Sequence, residues 1–101
     1  MSSIYLIERL DNFTQLADKT WESGFWALSE QVAKKLTGGS IFFHKKQAAP
    51  SFFGGIIVGH RVQDEGEYQG RIIFKFQYFP DHRNVKTDRA RWRNEMKILG
   101  V

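Results

Sequence analysis

The chain has 101 residues, which is enough for one domain, and we expect that domain to span residues 1–101. It has no cysteine, which excludes a disulfide framework and a thiolate zinc site and fits a cytoplasmic location. Its formal net charge of +4 favours a polyanionic partner. The first ten residues lack the basic start and long apolar run of a signal peptide, and no segment has the length of a membrane span.

The first half of the chain predicts a strand followed by two short helices. Ile4–Glu8 is apolar and rich in β-forming residues, so it predicts the first strand. In Leu10–Trp21 the apolar residues recur at mixed spacings of three and four, which indicates a helical or turn-rich segment. A clearer helix follows Ser29, a good N-cap, because apolar residues recur every four positions up to the stop at Gly38-Gly39.

The second half predicts a run of strands. Ser40–Lys46 predicts a strand that ends in a basic patch, and Gln47–Phe53 predicts a loop. Gly54–Val62 predicts a strand whose glycines indicate a bulge or a close backbone approach. Arg71–Phe79 is the strongest strand prediction, and Glu95–Val101 predicts the last strand.

Residues 80–94 form a charged stretch with little apolar periodicity, which we call the basic segment. Its simplest interpretation is a solvated loop. With helices near the start of a mostly β chain, the order of elements predicts an α+β fold. The short strands suit a small closed or nearly closed β-barrel, with the helices inserted after the first strand.

The polar residues make a weak case for catalysis or metal binding. His44, His60 and His82 are scattered without the spacing of a metal site, so we expect no metal. Glu95 and Lys97 could be a nuclease pair, but in an alternating strand they more simply form its solvent face. We therefore expect a protein without a cofactor that is not an enzyme.

The stronger signal is a set of aromatic residues accompanied by basic residues, Lys and Arg. Trp26 lies in a glycine turn before a helix, Phe52 and Phe53 lie in a predicted loop, and Tyr78 lies near the end of the long strand. Aromatic faces can stack on nucleobases, while Lys and Arg contact phosphates. Each aromatic residue taken singly belongs more often to the core of a small domain than to a binding site.

The ordered motifs resemble a known family. The stretch "YLIERLDNFTQLADKTWESGFWALSEQVAKKLTGGSIFFHKKQAAPSFFGGIIVGHRV" resembles the first half of YTH and EVE domains, which belong to the PUA-like superfamily. The matching pieces are a first strand, the Gly24-Phe25-Trp26 turn, a lysine-rich helix, an "IFF" strand and a glycine-led strand. "GRIIFKFQYF" and "NEMKIL" are similar to the later strands of a YTH domain. The resemblance covers most of the chain and implies a single PUA-like domain.

The resemblance implies a non-catalytic reader that takes a flipped, modified base into an aromatic pocket. The base is methylated in YTH domains, and related domains serve RNA modification or modification-dependent restriction. Trp26 matches the cage tryptophan and Tyr78 falls near the second cage position, while Glu8, Arg9 and Asn12 fall near the groups that bind the base edge. The pocket would be completed by Phe25, His44 and Ser51. The phosphates would be held by Lys45, Lys46, Arg83, Lys86, Arg89 and Arg91.

The partner would thus be DNA or RNA with a modified base, and an effector protein or domain could act with it. Two alternatives stay open at this point. One is a PUA-like module that binds a protein and reads no base, in which Trp26 and Trp92 are core or interface residues. The other is a small nuclease that uses Glu95.

Overall fold

The computed structural model describes residues 2–101, which form one seven-stranded sheet and one α-helix. The sheet order is β2-β3-β6-β5-β4-β1-β7, and β1 and β4 are parallel while the other neighbours are antiparallel. This mixed sheet with a helix confirms the α+β class. The elements are β1 (Ser3–Ile7), β2 (Phe13–Gln15), β3 (Thr20–Trp26), α1 (Glu30–Leu36), β4 (Ser40–His44), β5 (Ser51–Val62), β6 (Ile72–Tyr78) and β7 (Met96–Leu99), with a 3-10 turn at Pro80–His82.

The hydrophobic core lies between one face of the sheet and α1. Alternate residues of β1 and β4 point into it, since the period of a strand is two. The helix adds Ala33 and Leu36, both fully buried. The largest fully buried side chains are Phe43, Phe74, Phe76, Ile4, Leu6, Leu36, Ile41, Ile57 and Ile72.

Helix α1 begins and ends where the sequence predicts. The Ser29 hydroxyl accepts a hydrogen bond from the backbone N–H of Val32 at 3.2 Å, which satisfies one of the free donors of the first turn. Gly38 follows the helix with a φ of +88°, a conformation that glycine adopts without steric cost. No helix among residues 2–101 is long and apolar enough to cross a membrane.

The prediction of a helix in Leu10–Trp21 is wrong. The segment forms the β2–β3 hairpin, in which Phe13 pairs with Ser23 and Gln15 with Trp21. The Phe13 ring meets the ring of Phe43 edge to face at 4.9 Å, so β2 curls over the strands that follow. The spacing that indicated a helix instead places aromatic side chains on one face of a hairpin.

The prediction of a loop over Gln47–Phe53 is only half correct, because β5 begins at Ser51. The expectation for the glycines of this strand is confirmed. A Cβ on Gly55 would collide with the backbone carbonyl oxygen of Gln77, and one on Gly54 with that of Ile41. The pairing of β5 with β6 also shifts register between Ile57 and Gly59.

The basic segment has no strand or helix beyond its 3-10 turn, but it is packed against the sheet rather than free in solvent. Near its start, the buried Ser51 hydroxyl donates to the carbonyl of His82 at 2.6 Å and accepts from the N–H of Val85 at 3.0 Å. In its middle, the Trp92 ring meets the ring of His44 edge to face at 5.8 Å. The segment therefore covers the face of the sheet opposite the core.

The prediction that Lys97 lies on the solvent face of its strand is wrong. Its side chain is only 3% exposed. The ammonium group donates to Thr87 Oγ1 at 2.7 Å, to the Asp88 carbonyl at 3.0 Å and to Asp88 Oδ1 at 2.9 Å. It also lies 5.6 Å from the centre of the Tyr5 ring. Lys97 thus fastens the basic segment to β7.

Candidate functional site

An open cavity of about 280 Å³ lies where the end of β1 meets the end of β3. We call it the aromatic cavity because three aromatic residues line it together with polar groups. Five of the eight residues predicted for a base pocket line this cavity. Its full lining is Ile7, Glu8, Arg9, Leu10, Asn12, Gly24, Phe25, Trp26, Tyr68, Arg71 and Glu95.

Phe25 and Tyr68 form a stacked pair in the wall of the aromatic cavity. Their ring centres are 4.7 Å apart and their planes differ by 6°. The Arg71 guanidinium lies 5.8 Å from the Tyr68 ring centre and donates to the carbonyl of Phe25 at 3.4 Å. Both rings are half-buried, so they offer partly open aromatic surface beside a cation.

Trp26 is placed differently from the prediction. It is the last residue of β3 rather than part of a turn, and it pairs with Ile72 of β6. Only 8% of the residue is exposed, and it belongs to the core cluster. Its indole N–H donates to the hydroxyl of Ser23 at 3.0 Å. Trp26 therefore gives the aromatic cavity a fixed wall, and the more open aromatic surface comes from Phe25 and Tyr68.

Glu8 supplies the buried acceptor group of the aromatic cavity. Its Oε1 accepts from the backbone N–H of Leu10 at 2.7 Å and of Asp11 at 3.0 Å. These bonds hold the chain in a turn after β1 and fix the carboxylate at the cavity wall. Asn12 follows in the same turn and offers both a donor and an acceptor. Such groups can pair with the edge of a planar, polar ligand.

A second cavity of about 870 Å³ adjoins the first, and we call it the arginine cavity. Arg71 and Glu95 line both cavities, so the two are adjacent and share part of their walls. Arg9 lies at the junction, where its guanidinium is 3.3 Å from Glu95 Oε1. The arginine cavity is lined by Ala27, Arg71, Arg91, Arg93, Asn94, Glu95, Met96 and Ile98.

The charges around the arginine cavity are unbalanced. Among residues 2–101, Arg71, Arg91 and Arg93 form no ion pair with a carboxylate. Glu95 is the one carboxylate in the lining, and it pairs with Arg9. Three guanidinium groups with free donors around one cavity suit a ligand with more than one negative charge, since guanidinium matches phosphate geometry.

Tyr78 does not share a cavity with Trp26. Trp26 of β3 pairs with Ile72, the first residue of β6. Tyr78 is the last residue of β6, six residues further along. Six residues of a strand span about 20 Å. Tyr78 packs instead on Phe53, with ring centres 5.0 Å apart.

His44 and Ser51 also lie outside the aromatic cavity, beneath the basic segment. His44 is fully buried, and its Nδ1 lies 2.9 Å from the carbonyl of Ala49. A carbonyl only accepts, so Nδ1 carries the proton. Burial lowers the pKa of His44, and the positive charge of Lys97 lowers it further. Ser51 holds the start of the basic segment through His82 and Val85, and His44 packs against Trp92 of that segment.

The residues predicted to bind phosphate are spread over the surface. Arg91 lines the arginine cavity, whereas Arg83, Lys86 and Arg89 are exposed on the basic segment. Lys45 and Lys46 are exposed after β4, and the Lys45 ammonium lies 4.3 Å from the ring centre of Phe52. The structure thus brings only one of these six residues to the cavities.

Sequence reasoning missed Tyr68 and Arg71, and Arg93 is not among the residues predicted to bind phosphate. Tyr68 and Arg71 stand at the end of a polar turn, where neither periodicity nor spacing singles them out. They reach the aromatic cavity because β6 pairs with β3 in a register that sets Ile72 against Trp26. The signal that could have found them is the position of a Tyr and an Arg just before the strongest predicted strand.

The candidate nuclease pair does not form a site. Glu95 faces the two cavities, whereas the ammonium of Lys97 is held by Thr87 and Asp88. Within the described part of the chain, no group of three or more His, Cys, Asp or Glu side chains is placed to hold a metal ion.

Comparisons with known proteins give no relative from which a function could be carried over. No protein-family model matches the chain, and neither the curated proteins nor the solved structures include a significant match to it.

Proposed function

We propose that the chain is a non-catalytic nucleic-acid-binding module that takes one modified base, such as a methylated base, into the aromatic cavity. The observation that carries this proposal is the adjacency of the two cavities, which share Arg71 and Glu95 in their walls. A nucleotide has the same two parts, a flat polar base and an adjoining anionic phosphate. The aromatic cavity suits the first part and the arginine cavity suits the second.

The energetics of base binding are consistent with this arrangement. Extruding a base from a duplex costs a few kcal/mol, and stacking on an aromatic side chain returns about 1–3 kcal/mol per base. Phe25 and Tyr68 offer stacking surface, and Glu8 and Asn12 offer hydrogen-bonding groups. A methyl group buried against these rings adds about 0.8 kcal/mol, or roughly fourfold in affinity.

The proposal includes the finer fold assignment. The sheet is strongly curled, since Phe13 of β2 contacts Phe43 of β4, and a PUA-like barrel of the EVE or YTH type would have this form. In this assignment Phe25 and Tyr68 form the open aromatic walls, and Trp26 is the buried wall behind them. The modification context would be restriction or RNA modification, in the cytoplasm.

The test is a fluorescence-anisotropy titration with labelled oligonucleotides that differ only in N6-methylation of one adenine or C5-methylation of one cytosine. We expect one modified oligonucleotide to bind more tightly than its unmodified match. Phe25→Leu and Tyr68→Leu should remove that preference, while Phe79→Leu, which changes an exposed aromatic residue outside both cavities, should not. Equal affinities that none of these variants alters would refute the proposal.

The protein-binding alternative has one observation in its favour. Leu10 is 73% exposed and Leu16 is 48% exposed, and both flank the short edge strand β2. Exposed apolar side chains beside an edge strand are a common feature of protein interfaces. Absence of oligonucleotide binding even at low salt would favour this function.

A further inference from the structure

A second aromatic surface lies beyond the aromatic cavity, and we call it the aromatic trough. It is an open cavity of about 360 Å³ lined by Asp11, Phe13, Trp21, Phe52 and Phe53. The Phe53 ring meets those of Phe13 and Trp21 edge to face at 5.2 Å and 5.3 Å. All four aromatic residues are only partly buried.

Residues of the turn after β1 link the walls of the aromatic trough and the aromatic cavity. A third cavity of about 230 Å³ lies between them. Asn12 lines both the aromatic cavity and this third cavity, and Asp11 lines both the third cavity and the trough. Arg61 borders the third cavity, where it pairs with Glu22 at 3.0 Å. The three cavities therefore follow one another along the surface at the turn after β1.

Asp11 is the charged residue in the lining of the trough, and two lysines stand beside the trough, where they can contact the phosphates of a nucleic acid. The ammonium of Lys45 lies 4.3 Å from the ring centre of Phe52, and Lys46 follows it on the surface. Lys45 is exposed on a flexible stem, so it can leave the ring for a phosphate while a base takes its place. A cation beside a partly open aromatic face is the arrangement by which single strands are held without sequence preference.

We propose that the aromatic trough is a second base-stacking site, so that the ligand is a single strand which occupies the trough and the aromatic cavity together. The inference rests on the proposed function. Trp21 and Trp26 pair with Phe76 and Ile72, four residues apart on β6, which sets the two sites about 13 Å apart. Stacked bases along one strand are about 3.4 Å apart, so about four base steps separate the sites. A duplex would have to unpair at both places, whereas a single strand need not.

The test compares two probes: a single-stranded DNA decamer of thymidines around one N6-methyladenine, and the dinucleotide of N6-methyladenine and thymidine. The dinucleotide is too short to reach both sites. We expect Phe52→Ala to weaken decamer binding by at least about fivefold and to leave dinucleotide binding, followed by NMR titration, unchanged. Phe52→Leu keeps apolar packing but loses the ring, so it should act in the same direction. Phe79→Ala serves as the control.

The outcomes separate this inference from the proposed function. If Phe25→Leu weakens the binding of both probes while the Phe52 variants leave decamer binding unchanged, the proposal of a second site is overturned and the proposed function stands. If Phe25→Leu changes the binding of neither probe, or if neither these probes nor their C5-methylcytosine counterparts bind at low salt, both proposals fail. A folded state of each variant is checked by circular dichroism.

Discussion

At the scale of single residues, burial decides which side chains can act. Trp26 matches the expected cage tryptophan in sequence, but its indole is tied to Ser23 and packed into the core. Phe25, its neighbour, stacks on Tyr68 at the cavity wall and keeps part of its ring open. Phe25 is half-buried whereas Trp26 is only 8% exposed, so Phe25 has the ring surface that a ligand could reach.

Trp26 and Phe25 should consequently differ in what their substitution costs. We expect Trp26→Ala to lower the free energy of unfolding by about 3–5 kcal/mol, as for other buried large-to-small changes. Phe25→Leu, at a half-buried position, should cost under about 1.5 kcal/mol yet weaken oligonucleotide binding. Urea denaturation and anisotropy titration measure the two effects. A Phe25→Leu protein that binds normally would remove Phe25 from the site.

His44 should make stability depend on pH. Burial lowers its pKa in the folded state, and the nearby Lys97 charge acts in the same direction. The unfolded chain therefore binds the proton more readily, and stability that is full above the ordinary pKa of about 6.5 is lost as the pH falls below it.

We expect the free energy of unfolding to fall between pH 7 and pH 5 in urea titrations. His44→Phe should reduce this slope without abolishing it, because burial also lowers the pKa of His82. A slope that His44→Phe leaves unchanged would show that His44 is not the group responsible.

At the scale of elements, the basic segment matters because it presents Arg91 and Arg93. Lys97 donates to both the carbonyl and the carboxylate of Asp88, and the same carboxylate accepts from the N–H of Ala90 at 3.0 Å. The hydrogen bond from Lys97 lowers the pKa of Asp88. These bonds fix the backbone that immediately precedes the two arginines.

Asp88→Asn should thus weaken oligonucleotide binding, although it makes the protein more positive by one charge. The change in net charge alone would predict tighter oligonucleotide binding, since a more basic protein attracts a polyanion more strongly. Asp18→Asn makes the same charge change in the exposed turn before β3 and serves as the matched control. Tighter binding by both variants would contradict a positioning role for the segment.

Much of the fold could be predicted from the sequence, and the failures have a common cause. The strands β1, β4, β6 and β7 and the capped helix α1 follow from local patterns of apolar residues, caps and glycines. The spacing in Leu10–Trp21 predicts a helix, whereas the β2–β3 hairpin forms because its aromatic side chains pack against β4 and β5, which are distant in sequence. Local spacing does not encode such a contact.

The dependence on contacts between residues distant in sequence also explains which residues of the candidate site could be predicted. Glu8, Arg9, Asn12, Phe25 and Trp26 are predicted together from the resemblance to EVE and YTH domains, and the structure places all five around one cavity. Tyr68 and Arg71 could not be predicted, since their position depends on the register of β6 against β3. His44 and Ser51 carry polar groups typical of sites, but their partners are backbone groups of Ala49, His82 and Val85.

At the scale of the whole molecule, the distribution of positive charge matters. Three arginines line the arginine cavity, and the one carboxylate in its lining, Glu95, is paired with Arg9. Binding of a single strand releases counterions, and each lost phosphate contact lowers the slope of log affinity against log salt by about 0.7. The double variant Arg91→Ala/Arg93→Ala should therefore lower this slope by about 1.4. Lys34→Ala/Lys35→Ala removes the same charge from α1 and should change it little. Equal slopes for the two double variants would contradict a specific role for the cavity.

The central claim is that the aromatic cavity holds the base, and a ¹⁵N–¹H NMR titration with the methylated single-stranded decamer tests it most directly. We expect the largest shifts at the backbone amides of Gly24, Phe25 and Tyr68 and at the indole N–H of Trp26. The amides of α1 should shift little. Saturation with no change at the cavity residues, or with the largest shifts on α1, would contradict the claim.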